Sequence, residues 1–318
     1  MNALSASSYS IREQLGPLVF DFTDPKGNDV HFELPYPKLL RISEFPARAR
    51  DVFGVDAIET VAFQFSGVDD PELDAFAAAL AASGVRLVNA CIDAGDLLGA
   101  DEAKRAADIE LNKRWIERFA ALGPQFVRVN PSSPFSPHQP DAVPAYLVDT
   151  LGELGSFAKE RGTRLLVENH GGRSSDPAWM RSLLDAVGRD PCGLLLDLGN
   201  FDAVMGPMTA AILGGASGAG DPAEACAGID LTSVYDGIEA LCDRAELVSL
   251  KAHYVAQDGA IGPVDLKRAL GILVDHGYTG PLSLEYEGHG GDPWAKGSAI
   301  LDLARSVLGT EALDDPAR

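Results

Sequence analysis

Eight short, apolar, strand-like segments recur along this 318-residue chain. Nearly every gap between them holds a helix-compatible stretch, and several of these carry an Asp, a following Pro and a closing Gly, the usual start and stop signals of a short helix. Apolar strands that alternate with helices indicate a parallel sheet covered by helices. Eight such units predict an α/β fold of the (β/α)8 TIM-barrel type. The open doubly wound sheet is disfavoured, because the first strand lacks the GxGxxG turn of a dinucleotide site.

The length suits one barrel domain over residues 1–318. Two segments interrupt the repeat. Residues 16–37 are predicted to form an inserted hairpin, because two alternating runs flank the turn-forming sequence PKGND. Residues 201–232 are predicted to form a long rim loop with a Gly/Ala-rich middle. Such a loop is either a lid or partner contact, or a tolerated surface insertion.

Composition excludes two classes of partner. No apolar run approaches the ~18 residues that span a bilayer, so we expect a soluble protein without a membrane partner. Forty-seven acidic residues against 26 basic ones give a net charge of −21, which opposes binding to nucleic acid. The four cysteines have no paired spacing and the N-terminus has no leader pattern, which favours the cytoplasm.

Four of the strand-like segments in the second half end on metal-ligand types of residue. They are Glu168, Asp197, His253 and Glu285. Carboxylates and imidazoles are ligands of divalent cations, and the strand ends on one rim are where a parallel barrel gathers its active site. This pattern predicts a metal-dependent enzyme.

Further polar residues lie close to these strand ends. His170 follows Glu168 by two residues and is expected on the same side. Lys251 is a strand-interior lysine that is costly to bury, so it either stabilises an enolate oxygen or forms an ion pair with Glu285 or Asp197. The candidate substrate-binding residues are Asp93, Arg128, Asn130, Asn200 and Glu287.

The segments LLVENHGGRSSDPAWM, LLLDLGNF, LVSLKAHY and GYTGPLSLEYEG resemble the xylose-isomerase-like sugar isomerase/epimerase superfamily. With ASSYSIREQLG near the N-terminus, the resemblance covers nearly the whole chain. It implies a TIM barrel with one divalent metal, Mn²⁺ or Mg²⁺ ahead of Zn²⁺ or Co²⁺, held by residues from the last four strands. Its motifs are specific for fold and metal site but not for substrate.

The resemblance places metal ligands at Glu168, Asp197 and Glu285. The seventh strand departs from the pattern, because many relatives carry His-x-Lys where this chain has Ser249, Leu250 and Lys251.

Two alternatives remain at that strand. His253 supplies the imidazole from one step further out, or three carboxylates and water complete the site and His253 contacts the substrate. Asn200 stands where many relatives have a histidine that touches the sugar, and its amide offers both a donor and an acceptor to hydroxyl groups.

The resemblance implies proton abstraction next to the carbonyl of a sugar or keto-sugar, as in an isomerase or epimerase. In the epimerase branch the acid/base pair would be Glu168 and Glu285. A second branch cleaves 3-keto-glycosides, including C-glycosides, by β-elimination, and there His170 would be the base. Erosion of the metal site would instead leave a non-catalytic sugar-binding or subunit-type barrel. In each case the partner is a small sugar or glycoside. The sequence leaves open whether the chain also forms a homo-oligomer or binds a second subunit.

Overall fold

The computed structural model describes residues 2–23, 29–133, 135–214 and 222–309. Its strands are β1 (Leu4–Ser7), β2 (Leu18–Thr23), β3 (Asp29–Leu34), β4 (Ala57–Val61), β5 (Arg86–Ile92), β6 (Phe126–Val129), β7 (Arg164–Glu168), β8 (Gly193–Asp197), β9 (Ala245–Ala252), β10 (Tyr254–Val255), β11 (Ile261–Gly262) and β12 (Leu282–Tyr286). Its α-helices are α1 (Phe45–Phe53), α2 (Glu72–Ser83), α3 (Glu102–Ala120), α4 (Ala145–Glu160), α5 (Pro177–Val187), α6 (Asp202–Gly214), α7 (Pro222–Ala225), α8 (Thr232–Leu241), α9 (Leu266–Asp275) and α10 (Pro293–Leu308). In these ranges, no helix is both long and apolar enough to cross a membrane.

Eight parallel strands close into a barrel in the order β1, β12, β9, β8, β7, β6, β5, β4. The ring closes where Ala6 of β1 pairs with Ile58 of β4. The predicted TIM barrel is therefore confirmed. Helix α1 was not among the helices that the sequence patterns predicted, although it has a proline near its start and ends at Gly54 in the left-handed conformation.

The barrel interior changes from apolar to polar along the strands. A small apolar cluster, separate from the main core, consists of Ala57, Val88, Phe126, Leu166, Leu195 and Leu247. Because inward-facing residues alternate along a strand, the residue two positions later also points inward. On four strands that later residue is polar: Arg128 after Phe126, Glu168 after Leu166, Asp197 after Leu195 and Ser249 after Leu247. Water is thus kept from the base of the barrel, while charged groups collect at its C-terminal mouth.

Two segments depart from the strand–helix repeat. Strands β2 and β3 pair antiparallel inside residues 16–37, and the turn at 24–28 lies outside the described residues. The connection over residues 201–232 contains α6 and α7, so its described parts are largely helical. The Gly/Ala-rich residues 215–221 lie outside the described part of the chain.

We predict that Gly155→Ala destabilises the barrel. A methyl group at Gly155, on the buried side of α4, would collide with the backbone of Pro191 in the loop before β8. The resulting overpacking should lower the free energy of unfolding by about 1–3 kcal/mol, measured by chemical denaturation. Gly152→Ala on the same helix is the control, because nothing lies within 4 Å of its added methyl group. Equal stability of the two variants would contradict the packing argument.

Candidate functional site at the barrel mouth

The predicted site residues lie together at the C-terminal ends of the strands. Glu168 and Asp197 are the last residues of β7 and β8, and both are buried. Register places Asp197 opposite Ser249 of β9, and Lys251 of β9 opposite Glu285 of β12. The parallel register therefore brings carboxylates from three strands towards one lysine.

Lys251 is the centre of the first cluster of charges. Its Nζ donates hydrogen bonds to Glu285 Oε1 at 2.7 Å and to Glu287 Oε1 at 2.8 Å. Asp197 Oδ2 lies 3.4 Å from the same nitrogen, and Ser249 Oγ donates to Glu285 Oε2 at 3.1 Å. Burial alone would lower the pKa of Lys251, but the three carboxylates outweigh it and hold the pKa well above its usual value. Lys251 is therefore a charged ammonium in a buried site.

Arg128 is the centre of the second cluster. Its Nη1 donates to Asp93 Oδ1 at 2.6 Å and to Asn130 Oδ1 at 2.8 Å. Its Nε forms an ion pair with Glu168 Oε2 at 2.6 Å, although the angle is not that of a hydrogen bond. His170 Nε2 lies 3.8 Å from Asp93 Oδ1. Asp93, Arg128 and Asn130, which are proposed to line the sugar pocket, thus also bind one another. Because Arg128 is only 4% exposed, its role is to hold its neighbours in position.

Two asparagines fix the strand ends between the clusters. Asn200 Nδ2 donates to Glu168 Oε1 at 3.2 Å. The side chain of Asn169 bridges to the next strand, because it donates to the carbonyl of Asp197 and accepts from the amide of Asp197, both at 2.8 Å. The amide of Gly199 donates to Asp197 Oδ1 at 2.7 Å. Asn169 was not predicted from the sequence, since nothing in a strand-end asparagine indicates which neighbour it bridges.

The pKa values of the ionisable groups in the site are shifted in opposite directions. Burial raises the pKa of Glu168 well above its usual value, with Arg128 opposing. Burial also raises the pKa of Asp197 to about 7, with Lys251 opposing. Burial also favours a higher pKa for Glu287, but Lys251 and nearby cations outweigh it, so the pKa of Glu287 is lowered. Protonated and ionised carboxyls therefore coexist near neutral pH, which suits proton transfer.

His170 is the most exposed of the candidate catalytic side chains, at 33%. Burial of its ring lowers the pKa, Asp93 opposes this and Arg128 adds to it. Its backbone amide donates to Ser174 Oγ at 2.8 Å, and Gly171 follows with a φ of 87° that allows the chain to turn away from the mouth. His170 is therefore a neutral imidazole at neutral pH, ready to accept a proton.

His253 lies just beyond the end of β9 and is buried. Its amide donates to the carbonyl of Gly262 at 2.9 Å. Its Nδ1 is 3.4 Å from Glu287 Oε2. Burial lowers its pKa to about 4, so the ring is neutral. Within the described residues, neither ring nitrogen makes a hydrogen bond.

Arg12 is a further residue of the site that sequence reasoning missed. Its guanidinium donates to the carbonyls of Tyr286, Glu287 and Gly288 at 2.9, 2.6 and 3.0 Å. It thereby fixes the backbone that carries Glu287. The only sequence signal was its position in ASSYSIREQLG, because a buried arginine cannot be told from an exposed one by residue type.

The fold and the position of this site are those of TIM barrels that gather ionisable groups at the C-terminal mouth. The sequence model of the xylose isomerase-like TIM barrel family matches residues 46–304. The chain therefore belongs to this family, as its sequence motifs predicted. A search of curated proteins finds no match.

Solved structures share the fold at low sequence identity. An L-ribulose 3-epimerase superposes with a TM-score of 0.63 at 16% identity, over 97% of this chain and 95% of that chain. A 3-keto-D-glucoside 4-epimerase from E. coli does so with a TM-score of 0.58 at 17% identity, over 83% and 94%. A xylose isomerase-like TIM barrel protein from Mycobacterium smegmatis, in complex with magnesium, gives 0.59 at 16% identity, over 97% and 98%.

The side chains of this mouth do not fit a divalent metal as they are arranged. In the part of the chain that the structure describes, no three His, Cys, Asp or Glu side chains form a group that could hold one. Asp197 Oδ2 and the ring nitrogens of His253 lack hydrogen bonds and are suitable donors. However, the Lys251 ammonium stands between Asp197 and Glu285, and Ser249 occupies the place where an imidazole is expected. The predicted ligand set therefore stays a prediction.

We predict that Arg128→Met lowers the free energy of unfolding by about 3–5 kcal/mol at neutral pH, because Asp93 loses its buried ionic partner. Burial raises the pKa of Asp93, but Arg128 and its other neighbours outweigh it and leave the pKa lowered. The ionised carboxylate therefore adds stability above its unfolded pKa, and that contribution is lost as pH falls.

The difference in stability between wild type and Arg128→Met should accordingly shrink below about pH 4, the ordinary pKa of an aspartate. Denaturant titrations from neutral to acidic pH measure it. Arg86→Met is the control, because Arg86 pairs with Asp56 on the surface at 3.0 Å and should cost at most about 1 kcal/mol. A pH-independent loss in Arg128→Met would argue against ionic stabilisation.

Proposed function

We propose that this protein is an enzyme that moves a proton next to the carbonyl carbon of a sugar or keto-sugar, as an isomerase or epimerase. The observation that carries the proposal is the convergence, at one barrel mouth, of the carboxyls of Glu168, Asp197 and Glu285 with the imidazole of His170 and the ammonium of Lys251. The pKa values of Glu168 and Asp197 are raised and that of His170 is lowered, so the site has groups that hold a proton and groups that accept one. Sites that move protons between carbon atoms need both kinds of group at one pH. The epimerases of the same fold support sugars as the substrate class.

The site residues would take separate roles in this reaction. His170 is the group that accepts the proton, since its ring is neutral and accessible at the mouth. Glu285, whose side chain is 20% exposed, lies at the same barrel mouth and is the second proton-transfer group. Glu168 is buried and held by Arg128, so it supplies a proton only if the substrate reaches it. Asn200, Asn130 and Asp93 offer amide and carboxylate groups to sugar hydroxyls.

A lyase that cleaves 3-keto-glycosides or C-glycosides is the second candidate. The observation that favours it is the position of His170, which lies beside Asp93 and is more exposed than Glu168. In that reaction the same base removes the proton and the bond to the β-substituent then breaks. The products differ: an epimerase returns a sugar of unchanged mass, whereas a lyase releases two fragments.

The metal predicted from the sequence, Mn²⁺ or Mg²⁺, would be held by Glu168, Asp197, Glu285 and His253. It would act as a Lewis acid on the sugar carbonyl. Lys251 stands between two of these predicted ligands, Asp197 and Glu285.

The proposed function predicts exchange of carbon-bound hydrogen. Incubation of the protein in D₂O with L-ribulose, D-fructose, D-allulose or 3-keto-D-glucose should place deuterium on the carbon next to the carbonyl of at least one of them, detected by NMR. The assays are run with and without added Mn²⁺, so the result does not depend on whether the protein requires a metal. Specific binding of a sugar without exchange in either condition would instead indicate a non-catalytic sugar-binding barrel.

His170→Ala should lower the exchange rate by about 10²-fold or more, the usual scale for a general base. Because burial holds the pKa of His170 below its usual value, wild-type activity should fall only when the pH drops below that lowered pKa, and the variant should lose this limb of the profile. His276→Ala is the control, since His276 ends α9 on the outside of the barrel. An unchanged rate in His170→Ala would remove His170 from the reaction.

A further inference from the structure

The carboxylates at the barrel mouth converge on a cation that belongs to the chain itself. Lys251 Nζ lies within 3.4 Å of oxygens from Asp197, Glu285 and Glu287. We propose that the Lys251 ammonium replaces the divalent metal, so that this member of the family polarises a sugar carbonyl with a built-in cation. The substrate class in this inference rests on the proposed function, but the cation's identity is tested separately.

The hydrogen bonds of the ammonium leave one of its N–H donors without an acceptor. An ammonium has three N–H donors. Within the described residues, two of them go to Glu285 and Glu287. Asp197 Oδ2 stands at 3.4 Å but makes no hydrogen bond. One N–H and one carboxylate oxygen therefore remain side by side. Both are buried, so a keto-sugar would reach them with its carbonyl oxygen and adjacent hydroxyl only from the side of Glu285 and Glu287, whose side chains are 20% and 24% exposed.

Lys251 and a metal would compete for these oxygens. A divalent cation binds carboxylate oxygens at roughly 2.0–2.6 Å, and Nζ is already 2.7 and 2.8 Å from Glu285 and Glu287. Two cations on the same oxygens would also repel each other in a site of low dielectric constant. A metal on them would therefore weaken the contacts of the ammonium with Glu285 and Glu287.

The lysine is held in place along its whole length. Its side chain is 1% exposed. Gly199, two residues after Asp197, packs so closely that a methyl group there would collide with Lys251 Cγ. Together with the ionic contacts at Nζ, this packing fixes the ammonium at the centre of the carboxylates.

The ammonium would act as a hydrogen-bond donor during enolisation. The base removes a proton from the carbon beside the carbonyl, and the C–H electron pair forms the new carbon–carbon double bond. The electron pair of the carbonyl π bond moves onto its oxygen, where the free N–H of Lys251 stabilises the negative charge. A proton delivered to the other face of the same carbon gives the epimer, and one delivered to the neighbouring carbon gives the isomer. Lys251 keeps its protons, and no oxidant or reductant is needed.

The first experiment measures Mn²⁺ binding without any substrate. Wild type and Lys251→Met, stripped with EDTA, are titrated with MnCl₂ by calorimetry and by thermal unfolding. Wild type should show no saturable binding. The variant leaves three carboxylates without their cation, so we expect Mn²⁺ to raise its melting temperature by roughly 5 °C or more.

Lys113→Met is the matched control. Lys113 also contacts two carboxylates, Glu110 and Glu153, each at 2.6 Å, but it does so on the outside of the barrel. It should not gain Mn²⁺ stabilisation. Saturable, stoichiometric binding to wild type overturns the inference, and so does an equal Mn²⁺ response of wild type and a folded Lys251→Met.

The second experiment follows deuterium exchange into the same sugars by EDTA-treated wild type. Undiminished exchange supports the built-in cation, whereas exchange that returns only with Mn²⁺ overturns it and leaves the proposed function intact. Absence of exchange in both conditions counts against the proposed function alone, because the titration still decides which cation holds the carboxylates. If Lys251→Met does not fold with or without Mn²⁺, the wild-type titration decides by itself: saturable Mn²⁺ binding overturns the inference, and its absence supports it.

Discussion

The ion cluster around Lys251 is the contact on which the arrangement of the barrel mouth depends. An unpaired charge in a protein interior costs several kcal/mol, so buried carboxylates require partners. Asp197 comes from the end of β8, Glu285 and Glu287 come from the end of β12, and all three share this one ammonium. Removing either side of the cluster leaves buried charge behind. The contact therefore joins the ends of β8, β9 and β12 more firmly than the backbone register alone.

Arg128 does the same for the other half of the mouth, and the two clusters are coupled. The field of Asp197 and Glu285 adds to the burial that raises the pKa of Glu168. Asn200 and Asn169 supply the mechanical link, through hydrogen bonds that cross from β7 to the chain at and after β8. Below both clusters, the apolar layer around Leu166 and Leu195 excludes water. A polar mouth above a dry base gives every charge in the site a larger effect on its neighbours.

Much of this site was accessible from the sequence, because strand ends and a two-residue period identify side chains that share a face. That reasoning gathered Glu168, Asp197, Lys251 and Glu285, and the structure brings them together. It did not establish how they pair, since the choice between a metal ligand and an ion pair is decided by distances of about an ångström between different strands. Helix α1 was missed for another reason: its sequence FPARARDVF is only nine residues long and has two arginines among its apolar residues. Its proline start and glycine end were the weaker, available signals.

The charge of the central cation also determines the protonation of its surroundings. Among the described residues, Asp93 and Glu168 lie against Arg128, and Asp197, Glu285 and Glu287 lie against Lys251, with Arg12 close to Glu287. A divalent ion in place of the ammonium would neutralise one charge more. With the monovalent lysine the excess of negative charge favours protonation, and burial raises the pKa of Glu168 well above its usual value and that of Asp197 to about 7. In the proposed reaction such protons would lie beside the Lys251 ammonium, which is the combination that enolisation requires.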